Sequence, residues 1–235
     1  MLDLHTHILP GFDDGSKNVR QSLAMLAREA KQGVDRVVLT PHFYALRESP
    51  EAFIKRRAEA FRQLEAEASG WRKLPHRYPG AEVAYFSGIS RIEDIEQLCI
   101  GNTRTMLVEM PFCRWNPRVL EELEYLKECR GIRPVIAHVE RYMRYQPMGT
   151  VRRLCESGFW IQANTSFFLE WQTSWLAMRM LKNREIHFIG TDCHDTKRRP
   201  PNFGEAITEI DRRLGKDALR YLRYMESRLL EGESH

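Results

Sequence analysis

A chain of 235 residues, 43% hydrophobic and 29% charged, has ordinary globular composition and the length to bury a sizeable core, which excludes a fibrous or disordered protein. A formal charge of +4 suits an anionic substrate, but no stripe of basic and aromatic residues points to nucleic acid as a partner. No apolar stretch reaches the roughly 18 residues of a membrane span. The start Met1-Leu-Asp-Leu-His5 lacks a basic-then-apolar leader, so no membrane insertion and a cytoplasmic location are expected. Five scattered cysteines without a CxxC pair agree, reading as reduced thiols.

Along the chain, short β-rich runs alternate with segments of helical spacing. Residues 2–7 read as the first strand. Val19, Leu23, Leu26, Ala27 and Ala30 recur every three to four positions, as on a helix. A strand at 36–40 and a helix at 50–69 follow, then strands at 81–85 and 105–109. A helix at 117–129, a strand at 134–138, a helix at 148–158 and a strand at 160–164 continue the alternation. A helical pattern at 167–182 precedes the last strand, 187–191. Beyond it, Arg212, Arg213, Arg220, Arg223 and Arg228 read as the wet faces of helices. Seven strands in β-then-α order predict an α/β fold with a parallel sheet, in one domain spanning 1–235.

The polar residues fall at the strand ends: His5 and His7, His42, Glu82, Glu109, His138, then Asp192 and His194. In parallel α/β folds these ends converge on one face, where sites are built. His5-Thr-His7 and Asp192-Cys-His194 are i, i+2 pairs, so each pair points one way from an extended strand. Asp13 and Asp14, in the Gly11-Phe-Asp-Asp-Gly15 turn, compete to add one more carboxylate, and spacing does not choose between them. Five histidines and four carboxylates exceed one tetrahedral site and would hold two or three ions. Imidazole and carboxylate without thiolate suits Mn, Fe or Zn. A lone strand histidine is more often a hydrogen-bonded filler, and His76, His187 and His235 are read as ordinary surface or strand-edge residues.

His5-Thr-His7, Thr40-Pro-His42, Pro134-Val-Ile-Ala-His138 and Thr191-Asp-Cys-His194 resemble the successive motifs of the PHP (polymerase and histidinol phosphatase) superfamily. Asp3-Leu-His-Thr-His-Ile-Leu-Pro-Gly-Phe-Asp-Asp-Gly15, Gly80-Ala-Glu82, Ala137-His-Val-Glu-Arg-Tyr142 and Arg198-Arg-Pro-Pro201 narrow the resemblance. They are similar to the PHP-type bacterial tyrosine-protein phosphatases of capsule and exopolysaccharide operons, and the likeness runs from Met1 to about Leu230. It implies a distorted (β/α)7 barrel with three metals, usually manganese. Its ligands fall on His5, His7, Asp14, His42, Glu82, Glu109, His138, Asp192 and His194, and its phosphate-binding arginines on Arg141 and Arg199. The implied substrate is the phosphotyrosine tail of a bacterial tyrosine kinase, attacked by metal-activated water without a protein nucleophile. Histidinol-phosphate phosphatase or another small-molecule phosphoesterase is the alternative within this chemistry. A metal-free module that only binds the kinase tail is the non-enzyme rival, and it would not need all nine ligands.

Cys193 and Arg199 stand in the C-x5-R spacing of thiol phosphatases, but His-Asp-Thr-Lys-Arg between them is too bulky for a phosphate-cradling loop. Two departures concern assembly more than chemistry. Glu226-Ser-Arg228 stands where the family often has Asn-Pro-Arg. Phe167-Phe-Leu-Glu-Trp-Gln-Thr-Ser-Trp175 is unusually aromatic, reading as core or as a homo-oligomer surface. Phe43-Tyr-Ala-Leu-Arg47 is expected to rim the pocket and to stack on a phenyl ring.

Overall fold

The computed structural model describes residues 1–230; His235 lies outside the described residues. The strands are β1 (Leu2–Thr6), β2 (Arg36–Leu39), β3 (His42–Phe43), β4 (His76–Pro79), β5 (Glu82–Ala84), β6 (Thr105–Glu109), β7 (Arg133–Ile136), β8 (Trp160–Asn164) and β9 (Phe188–Gly190). All their pairings are parallel, in the orders β1-β2-β4 and β3-β5-β6-β7-β8-β9. The two sheets are one curled surface. After Thr40-Pro41, β2 resumes as β3, and after Gly80-Ala81, β4 resumes as β5. Thr40 N–H donates to Thr6 C=O and Glu82 N–H to Pro41 C=O across these breaks. The circle returns on itself where Asp192 N–H donates to His5 C=O at 2.7 Å and His7 N–H to Cys193 C=O at 2.9 Å. Among the described residues, nine strands thus occupy seven positions of a distorted (β/α)7 barrel.

Helices α1 (Val19–Lys31), α2 (Pro50–Ala68), α3 (Pro117–Arg130), α4 (Thr150–Glu156), α5 (Thr165–Leu169), α6 (Ser174–Lys182), α7 (Phe203–Leu214) and α8 (Lys216–Leu230) surround it. Asn18, Ser49 and Asn116 cap α1, α2 and α3 by accepting a backbone N–H from the first turn, as residues of these types do at helix starts. The β5–β6 crossover has two 3-10 turns, Ile89–Arg91 and Ile95–Leu98, in place of a helix. The main core lies between sheet and helices. A second cluster, including Leu2, Leu4, Val38, Leu107, Val135 and Phe188, is sealed by Met225 and Leu229 of α8. No helix among the described residues is long and apolar enough to cross a membrane.

Several expected elements need correction. The barrel strand before the β5 segment is β4, His76-Arg-Tyr-Pro79, which lacks the alternation that marks a strand; it earns its place by register with Arg36–Leu39. His76 is therefore the exposed first residue of a strand. The helix expected at 167–182 is two helices, α5 and α6, broken at Glu170-Trp-Gln-Thr173, where Thr173 Oγ1 donates to Phe167 C=O at 3.0 Å. Phe167 and Phe168 are buried, whereas Trp171 and Trp175 are 84% and 63% exposed. The helix expected at 148–158 shortens to α4. Glu226 has a structural role: it is buried under the barrel, where its carboxylate accepts from Arg36 Nη2 at 3.0 Å. Arg212, Arg213, Arg220 and Arg223 are exposed on α7 and α8, and Arg228 is half-buried.

Gly190, at the end of β9, sits where a Cβ would lie 2.5 Å from His5 Cβ and 2.9 Å from Gln162 Nε2. Gly190→Ala is expected to destabilise the fold by about 1–3 kcal/mol through overpacking, read as a lower denaturation midpoint in urea.

Candidate metal centre

β1 delivers the first two candidate ligands. A register irregularity between Asp3 and Thr6 interrupts the strict alternation of the strand just where His5 and His7 begin. Both are fully buried, and their Nε2 atoms face each other at 3.1 Å. The opposite ring atoms are committed. His5 Nδ1 approaches Gln162 Oε1 at 3.3 Å, and His7 Nδ1 lies 2.8 Å from Asp13 Oδ2. Those oxygens can only accept, so each Nδ1 is the donor there and each Nε2 is the ring nitrogen turned toward the cluster. His194 repeats the device, donating from Nδ1 to Asp192 C=O at 2.9 Å.

Asp13 and Asp14 divide the work that spacing left undecided. Asp13 also accepts the N–H groups of Gly15 and His42, so it orients the loop and His7 from behind. Despite burial, the His7 hydrogen bond holds its pKa well below the usual carboxylate range. Asp14 points into the cluster, with Oδ1 3.5 Å from His42 Nε2 and 3.4 Å from His194 Nε2.

Glu82, the first residue of β5, is the hub. It is fully buried, with Oε2 3.1 Å from His5, 3.2 Å from His7 and 3.0 Å from His42, and Oε1 2.7 Å from His138. Glu109 closes that side at 3.6 Å from His138; burial and the nearby Glu82 charge raise its pKa to about 7. Asp192 places Oδ1 3.4 Å from His7 and 3.6 Å from His194. Its Oδ2 faces outward and meets Arg199 Nη2 at 2.7 Å, and Arg141 Nη2 as well. Three sets have ligand atoms within 4.8 Å of one another: His7, Asp14, His42 and His194; His5, His7 and Asp192; His42, Glu82 and Glu109. His138 joins them through Glu82. All nine expected ligand positions therefore meet at one mouth of the barrel, with Arg141 and Arg199 at its rim.

These residues fit divalent ions. Buried His138 Nδ1 has no hydrogen-bond partner, and Glu82 Oε2, His42 Nδ1 and His194 Nε2 have charged neighbours at 3.0–3.4 Å but no well-directed hydrogen bond, although orphaned buried polar atoms are rare and costly. The Nε2 atoms of His5 and His7 converge to 3.1 Å, as two ligands of one cation would. The donor set is oxygen and imidazole nitrogen throughout.

Gln162 and Asn164 of β8 were missed by sequence reasoning. Gln162 Oε1 accepts His138 N–H at 2.7 Å as well as His5 Nδ1–H. Its amide donates to Asn164 Oδ1 at 2.9 Å, and Asn164 Nδ2 donates to Asp192 Oδ2 at 3.0 Å. A polar chain thus links three candidate ligands from behind. The available signal was two polar residues, spaced by two, on an otherwise apolar buried strand. His138 and Asp192 have positive φ, 29° and 52°, a strained conformation for residues with a Cβ.

Three other sequence features fall outside the cluster. Cys193 is fully buried facing Glu29, with Sγ–Oε1 3.9 Å. Burial and that carboxylate push its thiol well above the usual value, the reverse of an activated nucleophile. Tyr44 lies at the rim, but its ring is already engaged by His42 (centroids 5.3 Å) and by Arg47 (4.4 Å). His187 is a β-edge residue, its Nδ1 accepting Ile161 N–H at 3.1 Å.

Gln162→Ala is expected to leave the buried His138 N–H unpaired and to lower stability by roughly 1–3 kcal/mol. Divalent-metal affinity should fall about 10–100-fold, as when other outer supports of ligands are removed; thermal denaturation and metal titration measure the two effects.

Residues 1–230 match the family model described as capsular polysaccharide synthesis, CpsB/CapC. The tyrosine-protein phosphatase YwqE of Bacillus subtilis is 28% identical over 226 residues, 92% of this chain and 86% of that protein. The tyrosine-protein phosphatase CpsB of Streptococcus pneumoniae is 29% identical over 227 residues, 92% of this chain and 91% of that one. A solved chain from the crystal structures of YwqE from B. subtilis and CpsB from S. pneumoniae, metal-dependent tyrosine phosphatases, superposes with TM-score 0.82 at 25% identity. It covers 98% of this chain and 94% of that one. Histidinol phosphate phosphatase of Lactococcus lactis shares the fold at TM-score 0.58 and 18% identity, over 92% and 93% of the two chains. The chain belongs to the CpsB/CapC family of capsular polysaccharide synthesis.

Proposed function

We propose that this chain is a metal-dependent protein-tyrosine phosphatase, acting in the cytoplasm on the phosphorylated tail of a bacterial tyrosine kinase of capsule or exopolysaccharide synthesis. The observation that carries this reading is Asp192, whose Oδ1 faces the histidines while its Oδ2 holds two guanidiniums. Anion-binding charge from two separate loops thus adjoins a set built for cations, as a phosphoryl group bridging the two would require. The five cysteines, all unpaired, agree with a reducing compartment.

His5, His7, Asp14, His42, Glu82, Glu109, His138, Asp192 and His194 would hold two or three divalent ions, Mn first, with Fe and Zn suited by the same donors. When bound, these supply Lewis-acid polarisation of the phosphoryl oxygens and a water of lowered pKa. Arg141 and Arg199 exchange Asp192 Oδ2 for phosphoryl oxygens. Their planar forks stay charged and hold the equatorial oxygens as negative charge builds on them. Cys193 takes no part.

Protein loaded with Mn should hydrolyse a phosphotyrosine peptide much faster than histidinol phosphate, and chelation should abolish the activity. Full turnover in metal-free protein would end the metal reading, and a preference for histidinol phosphate would establish the small-molecule alternative.

The arginines test the phosphoryl pocket separately. Arg141→Ala and Arg199→Ala should each keep the metal content and lose roughly 2–4 kcal/mol of transition-state stabilisation, mainly in kcat. Lysine at either position should rescue poorly, because a point charge cannot reproduce a two-pronged contact.

A further inference from the structure

A single exposed phenylalanine on a surface needs no explanation. Phe112 is different because the loop that carries it is held on four sides. Met110 N–H donates to the buried Tyr142 hydroxyl at 2.9 Å, and Trp115 Nε1 donates to Pro111 C=O at 3.0 Å. Gln146 ties the other flank, accepting Trp115 N–H at 3.2 Å and donating to Cys113 C=O at 2.8 Å. Trp115 and Tyr142 pack edge to face beneath, with centroids 5.4 Å apart. On this support Phe112 remains 47% exposed. Its ring is nearly parallel to His138, 15° between planes with centroids 6.3 Å apart, and it is 5.4 Å from Tyr142. One part of the ring leans on the centre and the rest is open to solvent.

Resting on the phosphatase reading above, we infer that Phe112 is the platform for the leaving-group ring, and so a specificity-determining residue for aryl phosphate esters. His138 borders the cluster, and Arg141 follows it by three residues in the same loop, so Phe112 flanks the place where the phosphoryl group is held. An aryl ester carries its ring one bridging oxygen from phosphorus, so the ring emerges beside Phe112, where offset stacking is available. Tyr44 does not compete for this role, its ring being taken by His42 and Arg47. In an alkyl phosphate such as histidinol phosphate the ring lies several bonds beyond the ester oxygen, not directly on it.

The test compares wild-type, Phe112→Ala and Phe112→Tyr, all loaded with Mn, on a phosphotyrosine peptide and phenyl phosphate, with inorganic phosphate as competitive inhibitor. Phe112→Ala should lose about three- to tenfold in kcat/KM on both aryl esters, the worth of one aromatic contact. Its Ki for inorganic phosphate and its metal content should not change, and Phe112→Tyr should restore the rate. An unchanged kcat/KM in Phe112→Ala would overturn the inference. So would a Ki for phosphate that rises by the same factor, since Phe112 would then act only through His138. Either result leaves wild-type turnover of phosphotyrosine intact and the phosphatase reading standing; a wild-type protein that ignores aryl esters removes both.

Discussion

Glu82 imposes the constraint on which the centre depends. A carboxylate almost wholly removed from solvent is tolerated only if positive charge is close by. Here four imidazoles stand within 3.2 Å of its two oxygens. Imidazoles alone are a poor answer. His5, opposed by burial, is held above its usual pKa by Glu82 and Asp192, whereas burial and the neighbouring His7 push His194 down to about 4. Protonating every ring would crowd cations against one another; protonating none leaves the carboxylates unbalanced. Divalent cations resolve both problems, so the site's electrostatics and its chemistry have the same origin.

The fold holds that site by backbone as much as by side chain. Breaking β2–β3 and β4–β5 into two segments each turns the strands so that His42 and Glu82 pair across the ladder. The positive-φ residues His138 and Asp192 turn their ligand groups inward. The Asp3 carboxylate, accepting the N–H groups of His5 and Thr191 and the Thr191 hydroxyl, ties the first strand to the last. Burial raises its pKa to about 6.

Much of this was legible in the residues. The two i, i+2 pairs and the strand-end histidines marked the mouth of the barrel, because ligands and strand periodicity leave a joint trace in one sequence. What stayed hidden depends on tertiary context. His76-Arg-Tyr-Pro79 has no alternation and becomes a strand only by lying beside β2. The break at Glu170–Thr173 falls in a segment whose helical spacing is continuous. Asp13 and Asp14 are adjacent and chemically alike, so only the direction of each side chain separates the orienting residue from the inward one. Gln162 and Asn164 look like strand polarity until their partners, distant in sequence, are in place.

The seam that closes the barrel also sets an order of events during synthesis. Asp3 and Thr191 are 188 residues apart, and the Asp192–His5 backbone bond is about as long-range. The first two candidate ligands therefore leave the ribosome long before the residues that complete their surroundings. Pairing this distant forms late and slowly, and the edge of β1 opposite β2 stays exposed until then. Metal capture would follow nearly complete translation, so a chain truncated before β9 would have neither a closed barrel nor a finished centre.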